Sequence, residues 1–367
     1  MKIATGIFLF LDFIVLIVTV LPLLPLQNWW SRAGEFPRLQ IACFALALLI
    51  MQLALLPATA WFYWLMHGVT GACLVYQMIW IVPYTPFFPA EVIRGSLTDS
   101  AVEQRTISVI VANVLMANRQ ARRLGELIAS RDPDVVLLLE TNAWWQQSMR
   151  FLRETHSYGM DCPLENQYGM HLYSRLRIEN PEICFLVEDG VPSMHAALHL
   201  RSGHLIRLHA LHPTPPSPTE NPTSRERDAE LLVIGRSVSK DPGRVIVTGD
   251  FNDVAWSPTT RLFRRISRLV DPRIGRGMFS TFPASLPLLR FPLDHVFHSD
   301  DFTLIDLEVL PRFGSDHLPM YYRLLYEPPA KDFQGAPEAN GDDRAEATKK
   351  IRETSADPAD VPNPVRD

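Results

Sequence analysis

The stretch Arg244-Val-Ile-Val-Thr-Gly-Asp-Phe-Asn-Asp253 decides how the rest of the chain is read. Val245 to Thr248 form a short apolar, β-branched run, and Gly249 ends it. Such a run predicts a strand buried on both faces, as in the interior of an α/β protein. Asp250, Asn252 and Asp253 follow at once, so the strand delivers carboxylate and amide groups to its own end. A rigid strand suits a site that needs fixed geometry. The plain alternative is an Asx-type turn closing the strand, because Asp, Asn and Gly are common turn residues. The neighbouring chain has to decide between them.

Working outward, residues 104–327 have the texture of an α/β domain. Ser224–Ser239 and Arg261–Leu269 read as helices on either side of the opening strand. Thr106–Val111, Val135–Leu139, Tyr168–Ser174, Ile206–Leu211, Leu293–His298, Phe302–Leu310 and Met320–Leu325 read as strands, and Arg119–Arg131 as a helix ended by Asp132-Pro-Asp134. Polar residues recur where these strands end. Asn113 and Glu140 follow the first two, and His212 follows Leu211 in the segment His212-Pro-Thr-Pro-Pro216. Asp294 lies in the Leu293–His298 strand, and Asp316-His317 stands just before the last one. Any one of these is commonly a solvated end or a turn residue. Six of them at strand ends point to one site instead.

The residue types suit phosphoester hydrolysis. Hard divalent cations such as Mg²⁺ or Mn²⁺ take oxygen ligands, usually one or two carboxylates plus substrate phosphate. Glu140 and Asp316 fit that role, with the Asn113 amide oxygen as neutral support. Asp250, oriented by Asn252, is the candidate general base for an attacking water. His212 and His317, with Asn252, can donate to phosphoryl oxygens where charge builds. Asp294 is the candidate partner fixing the His317 ring. Asp253 is left as a turn residue. The four cysteines, Cys43, Cys73, Cys162 and Cys184, lack metal-ligand spacing, and no Gly-rich phosphate loop or nucleophile elbow competes.

These residues resemble the endonuclease/exonuclease/phosphatase superfamily. The resemblance covers about residues 104–327 and rests on several motifs: Asn113, Asp132-Pro-Asp-Val-Val-Leu-Leu-Leu-Glu140, Tyr168-Gly169 with Ser174-Arg175, His212, Gly249-Asp-Phe-Asn252, Leu293-Asp-His295 and Ser315-Asp-His317. It implies a four-layer α/β/β/α sandwich with the site at one end between two sheets. It also implies a Mg²⁺ or Mn²⁺ held chiefly by Glu140 with Asn113 and Asp316. Asp250 and Asn252 would handle the water, His212 and His317 would meet the scissile phosphate, and Asp294 would orient His317. Leu139 stands where the family commonly has Gln, and the carboxylate partner of the first histidine has no clear counterpart near Tyr168.

The N-terminal region is of another kind. Residues 4–26, 39–60 and 61–82 are each long and apolar enough for a membrane span, with Trp29, Trp30, Trp61, Trp64, Trp80 and Tyr84 near their ends. Residues 1–90 are therefore expected to be a membrane region with three transmembrane helices, in the manner of a bacterial membrane-anchored, multi-pass branch of the family. Arg32 and Arg38 bias the domain toward the cytoplasm, against Lys2. Residues 91–103 are expected to be a linker, and 328–367, rich in Pro, Ala and charge, a disordered tail.

Substrate follows less directly. Residues 104–327 hold 25 Lys and Arg against 26 Asp and Glu, without the overall basic footprint of a dedicated nucleic-acid binder. Arg261, Arg264, Arg265 and Arg268, followed by Arg273 and Arg276, are a candidate phosphate-facing strip or else a solvated helix face. The expected function is a nuclease-like, metal-dependent phosphodiesterase (with phosphomonoesters as a further substrate type). A phospholipid, sphingomyelin or inositol-phosphate phosphoesterase is the alternative, and a catalytically inactive membrane-tethered module the second.

Overall fold

The computed structural model describes residues 2–56, 61–241 and 243–365. Helix α1 (Lys2–Val20) leads through a short α2 (Trp29–Arg32) to α3 (Arg38–Leu55) and α4 (Trp61–Ile81). Thr5–Leu23, Arg38–Leu55 and Trp61–Tyr84 are long and apolar enough to cross a membrane. Residues 57–60, the end of the second expected span, and 366–367 of the expected tail lie outside the described residues. Phe10, Phe13, Leu53, Leu55, Trp61 and Ile79 turn outward and are more than half exposed. Polar side chains turn inward, where they find one another. Asp12 accepts from Gln52 Nε2 at 2.7 Å and Thr70 Oγ1 at 2.5 Å, tying the three long helices together.

The stretch expected to be a linker is instead docked. Val92 is fully buried in the core between the sheets, and Gly95 N–H donates to the Leu304 carbonyl at 2.9 Å. A four-residue α5 (Ser100–Glu103), capped by Asp99, then enters the domain.

Strands β1 (Thr106–Asn113), β2 (Val135–Leu139), β3 (Tyr158–Cys162) and β4 (Met170–Ser174) begin one sheet. Strands β5 (Ile178–Cys184), β6 (Ser193–His199), β7 (Leu205–Leu211), β8 (Val245–Asp250) and β9 (Asp294–His298) make the second, in that order. The chain then returns through β10 (Phe302–Val309) and β11 (Met320–Tyr326), and the first sheet reads β10-β11-β1-β2-β4-β3. Helices α6 (Ala121–Arg131) and α7 (Ala143–Ser148) cover its outer face, and α8 (Arg225–Ser239) and α9 (Pro258–Ser267) cover the second sheet.

The period of two along each strand builds the layers. Ile107, Val109 and Val111 of β1 point into the core between the sheets, while Ile110 and Ala112 pack with Leu124 and Ile128 of α6. Val245 and Val247 of β8 face α8 and α9, and Ile246 faces the other sheet. The result is the expected four-layer α/β/β/α sandwich. Strands β3, β5 and β6 were not predicted. In β5 most residues are exposed and Pro181 interrupts any alternation, and in β6 Ser, His and Ala give little β signal.

The expected disordered tail is also corrected. Helix α10 (Gly341–Arg352), with an Asn340–Asp343 capping box, packs against α8 and α9. Ala347, Ile351 and Val361 join the apolar layer there, and Lys350 Nζ meets Asp228 Oδ2 at 2.6 Å. Such a segment lacks the apolar surface to fold alone, but a domain surface already built needs only a few such side chains.

Candidate active site

Parallel pairing of β1 with β2 and of β7 with β8, and antiparallel pairing of β9 and β11 beside them, bring six strand ends to one end of the sandwich. Gly249 makes the close approach there possible. Its φ is +139°, and a Cβ would lie 2.0 Å from the Leu211 carbonyl of β7. Beyond it Asp250 pairs in register with Asp294 of β9, so two carboxylates stand side by side.

Asp250 is the hub. Its Oδ1 accepts the Asn252 N–H at 2.9 Å, and its Oδ2 accepts from Asn113 Nδ2 at 3.1 Å. His317 Nε2 lies 3.5 Å and His212 Nε2 3.9 Å from the same oxygen. The other nitrogen of His317, Nδ1, is 2.9 Å from Asp294 Oδ2, the pairing expected from the sequence. Burial pushes the Asp250 carboxyl up, with the His317 charge opposing. Burial would lower the His317 pKa, but Asp250 and Asp294 outweigh it and raise it to about 10. His212 is driven to about 4 by burial, so its ring is neutral near pH 7. Its Nδ1 has no hydrogen-bond partner among the described residues, in keeping with the missing carboxylate.

Glu140, at the end of β2, holds a left-handed φ of +59°, a strained conformation typical of functional positions. Asn113 Nδ2 donates to its Oε1 at 2.8 Å. Burial raises the Glu140 pKa to about 7; the Asn113 hydrogen bond opposes this, and the nearby Asp316 and Asp250 charges add to it. Asp316 is carried by a loop pinned to β1, where Ser315 Oγ donates to the Asn113 carbonyl at 2.8 Å. Glu140, Asp250 and Asp316 thus gather negative charge and oxygen donors, which fits a hard divalent cation. Asn113 enters differently from the expectation, since its amide nitrogen bridges Glu140 and Asp250 while its oxygen accepts the Leu115 N–H at 3.1 Å. Among the described residues, the group whose ligand-type atoms all lie within 4.8 Å of one another is Asp250, Asp294 and His317. A cation there would have to displace the His317–Asp294 hydrogen bond, so that trio reads better as an Asp–His–Asp relay.

Asn252, with φ of +49°, spends its amide nitrogen on the Pro213 carbonyl at 2.9 Å, which joins its loop to the one carrying His212. Asp253 is no ordinary turn residue. It is fully buried, accepts from Thr260 Oγ1 at 3.0 Å and from Ser257, and anchors the start of α9. The arginine strip is likewise corrected. Arg264 pairs with Glu91, Arg265 with Asp343, Arg268 with Glu338 and Arg273 with Asp271, while Arg261 lies over the Trp80 ring at 4.3 Å. These charges stitch the fold together.

Three supporting residues carried no assigned role in the sequence reading. Tyr168 lays its ring 5.2 Å from that of His212, and Phe282 lies 4.8 Å from that of His317. Arg227, buried in α8, donates to the Asn252 carbonyl at 2.8 Å. The sequence places it in the Ser224–Ser239 helix without marking its inward face, and only packing shows that face.

A two-sheet sandwich with clustered carboxylates, an Asp–His–Asp relay and a second histidine at one end has the make-up of a phosphoester hydrolase. Residues 110–317 match the Endonuclease/Exonuclease/phosphatase family, and the chain belongs to it. Members of that family are hydrolases acting on phosphoester bonds. No curated protein sequence matches the chain. Among solved structures, it is similar to D. rerio TDP2 complexed with single strand DNA product, at 18% identity and a TM-score of 0.48 over 60% of this chain and 98% of that one. The human Nocturnin catalytic domain with bound sulfate anion is similar at 17% identity and a TM-score of 0.49, over 60% and 94%. An endonuclease/exonuclease/phosphatase from Bacteroides vulgatus is similar at 16% and 0.49, over 60% and 99%.

Proposed function

We propose that the protein is a membrane-anchored phosphodiesterase that depends on Mg²⁺ or Mn²⁺ and uses water as the nucleophile. The observation that carries this reading is the convergence of His317, His212 and Asn113 on the single oxygen Asp250 Oδ2. Asp250 takes the proton of the attacking water, and the Asn252 N–H holds its other oxygen in place. Asp294 fixes the His317 ring through Nδ1, so the Nε2 side faces Asp250 and a phosphoryl oxygen bound beside it. His212, neutral and wedged by Tyr168, donates a second hydrogen bond to the phosphoryl group. As the water oxygen bonds to phosphorus, the ester P–O bond breaks and the leaving oxygen takes a proton from solvent. Glu140 and Asp316 would hold the cation, with Asn113 bridging Glu140 to Asp250. Once bound, the cation neutralises charge on the phosphoryl oxygens and polarises the phosphorus centre.

The three long apolar helices are the anchor. Their alternation puts the turn between α1 and α3 on the same side as everything after α4, and that turn packs against the domain, as Trp256 Nε1 donating to the Glu35 carbonyl at 2.7 Å illustrates.

The test uses the full chain in detergent micelles with bis-p-nitrophenyl phosphate. Turnover is expected with Mg²⁺ or Mn²⁺, abolished by EDTA and restored by adding the metal back. D250N is expected to lower kcat by about 10²–10⁴. Turnover that ignores both EDTA and D250N would refute the mechanism. No turnover at all would favour a binding module.

A further inference from the structure

The catalytic domain is seated on the ends of the apolar helices by the loops that build its site. Tyr84, just past α4, donates to the Ala255 carbonyl at 2.7 Å, three residues beyond Asn252. Trp29 N–H donates to the Pro222 carbonyl at 3.0 Å, and Gln27 accepts the Ser224 N–H at 2.8 Å, both in the segment that follows His212. Phe36 packs edge-on to Phe291 at 5.9 Å, three residues before Asp294. The site end of the sandwich therefore points toward the bilayer that the helices would cross.

One loop goes further. Residues 282–291 leave and rejoin the site: Phe282 packs on His317, Ala284 N–H donates to the Asp316 carbonyl at 2.6 Å, and Phe282 bridges to Phe291. Between these anchors the tip presents Leu286, Leu288 and Leu289, which are 51%, 88% and 46% exposed. A well-packed domain has no folding reason to hold three leucines in water side by side. Their height is fixed, because Gln40 Nε2, in the first turn of α3, donates to the Leu288 carbonyl at 2.9 Å. Arg290 closes the loop by donating to the Ala284 carbonyl at 2.7 Å, so a cation stands beside the leucines. Exposed leucines flanked by a cation, level with the start of a membrane helix, are the pattern of a segment that beds into the headgroup–acyl boundary.

We propose that Leu286-Pro-Leu-Leu289 is a membrane wedge and that the site acts on the phosphoester of a lipid held in the same bilayer. This rests on the phosphodiesterase reading above and names its substrate class. Attack is the same: water adds to the lipid phosphorus, the ester P–O bond breaks, and an alcohol and a phosphate monoester separate. The wedge loosens the lipid surface beside the mouth, so that a headgroup reaches Asp250 without leaving the membrane.

The full chain is to be reconstituted in nanodiscs of phosphatidylethanolamine and phosphatidylglycerol, doped in turn with sphingomyelin and a phosphoinositide. The triple variant L286S/L288S/L289S is compared with the wild type. Hydrolysis of bis-p-nitrophenyl phosphate is expected to stay within about twofold, and release of lipid headgroup to fall about tenfold or more. A fluorophore on L288C, with the native cysteines replaced by serine, is expected to be quenched by nitroxide-labelled lipid. Unchanged lipid hydrolysis in the triple variant, an unquenched label, or a wild type that cleaves single-stranded oligonucleotide and no lipid would each overturn the proposal. A wild type inert toward bis-p-nitrophenyl phosphate overturns the phosphodiesterase reading and the substrate class with it, while quenching still reports whether the wedge inserts.

Discussion

Asp294 never meets the substrate in the proposed mechanism, yet it holds the ring that does. With its Oδ2 2.9 Å from His317 Nδ1, it fixes the orientation and tautomer of that ring. D294N is therefore expected to lower kcat roughly 10- to 100-fold while KM moves little, by steady-state kinetics on a soluble phosphodiester. A purely structural role would instead lower the active fraction and leave kcat per folded molecule intact. On α8, Glu230 is buried, its Oε1 has no hydrogen-bond partner among the described residues, and burial, reinforced by Glu188, raises its pKa from 4.5 to about 8. The folded chain keeps this proton where the unfolded chain loses it. Its share of stability is thus fully present below pH 4.5 and lost as pH rises to about 8. E230Q, neutral throughout, should flatten that decline and raise the melting temperature above about pH 8 but not below about pH 4.5. Equal pH slopes for the two proteins would contradict it.

At the scale of elements, two features can be tested by stability. G249A puts a Cβ 2.0 Å from the Leu211 carbonyl at a φ of +139°, so β8 must draw away from β7. A loss of at least about 1–3 kcal/mol is expected by denaturation, together with lost activity as Asp250 moves. Helix α10 hangs on Lys350, which meets Asp228 in a buried pair that Arg227 also contacts at 2.9 Å. K350M should cost about 3 kcal/mol, toward the lower end for broken buried pairs because Arg227 still serves Asp228. Strands with continuous apolar runs, such as Val135–Leu139, were legible because burial on both faces leaves a strong signal. Helix α10 was not, since its own composition is polar and its order depends on a surface made by α8 and α9.

For the whole molecule, the seating of the domain on its helices is the feature with the widest consequences. Trp256 is 1% exposed, packs on Tyr84 at 5.8 Å and donates to the Glu35 carbonyl, while its neighbours lead directly to Asn252. W256A should cost about 3–5 kcal/mol and also lower kcat, because the same loop positions Asn252. Thermal unfolding and turnover of the full chain measure both. Restoration of kcat by W256F, with stability only partly recovered, would separate packing from the lost hydrogen bond. The proposed anchoring has its own check. The chain should stay with the membrane pellet after an alkaline carbonate wash, and its release would count against three spans.

The sequence by itself determined the apolar helices and the strands that end in polar groups, and it offered Asp294 as a candidate partner of His317. Long apolar runs and polar groups after buried strands are local signals, set by composition and period. Only the tertiary structure decided which polar residues share a site and which merely hold the fold. The arginines of α9 look functional along the chain, but ion pairing consumes them, and Asp253, read as a turn residue, is a buried anchor of that helix. It alone also decided that the mouth of the site faces the helix ends. Phe36 meets Phe291, and Phe282 meets His317, through packing, and no spacing along the chain encodes those meetings.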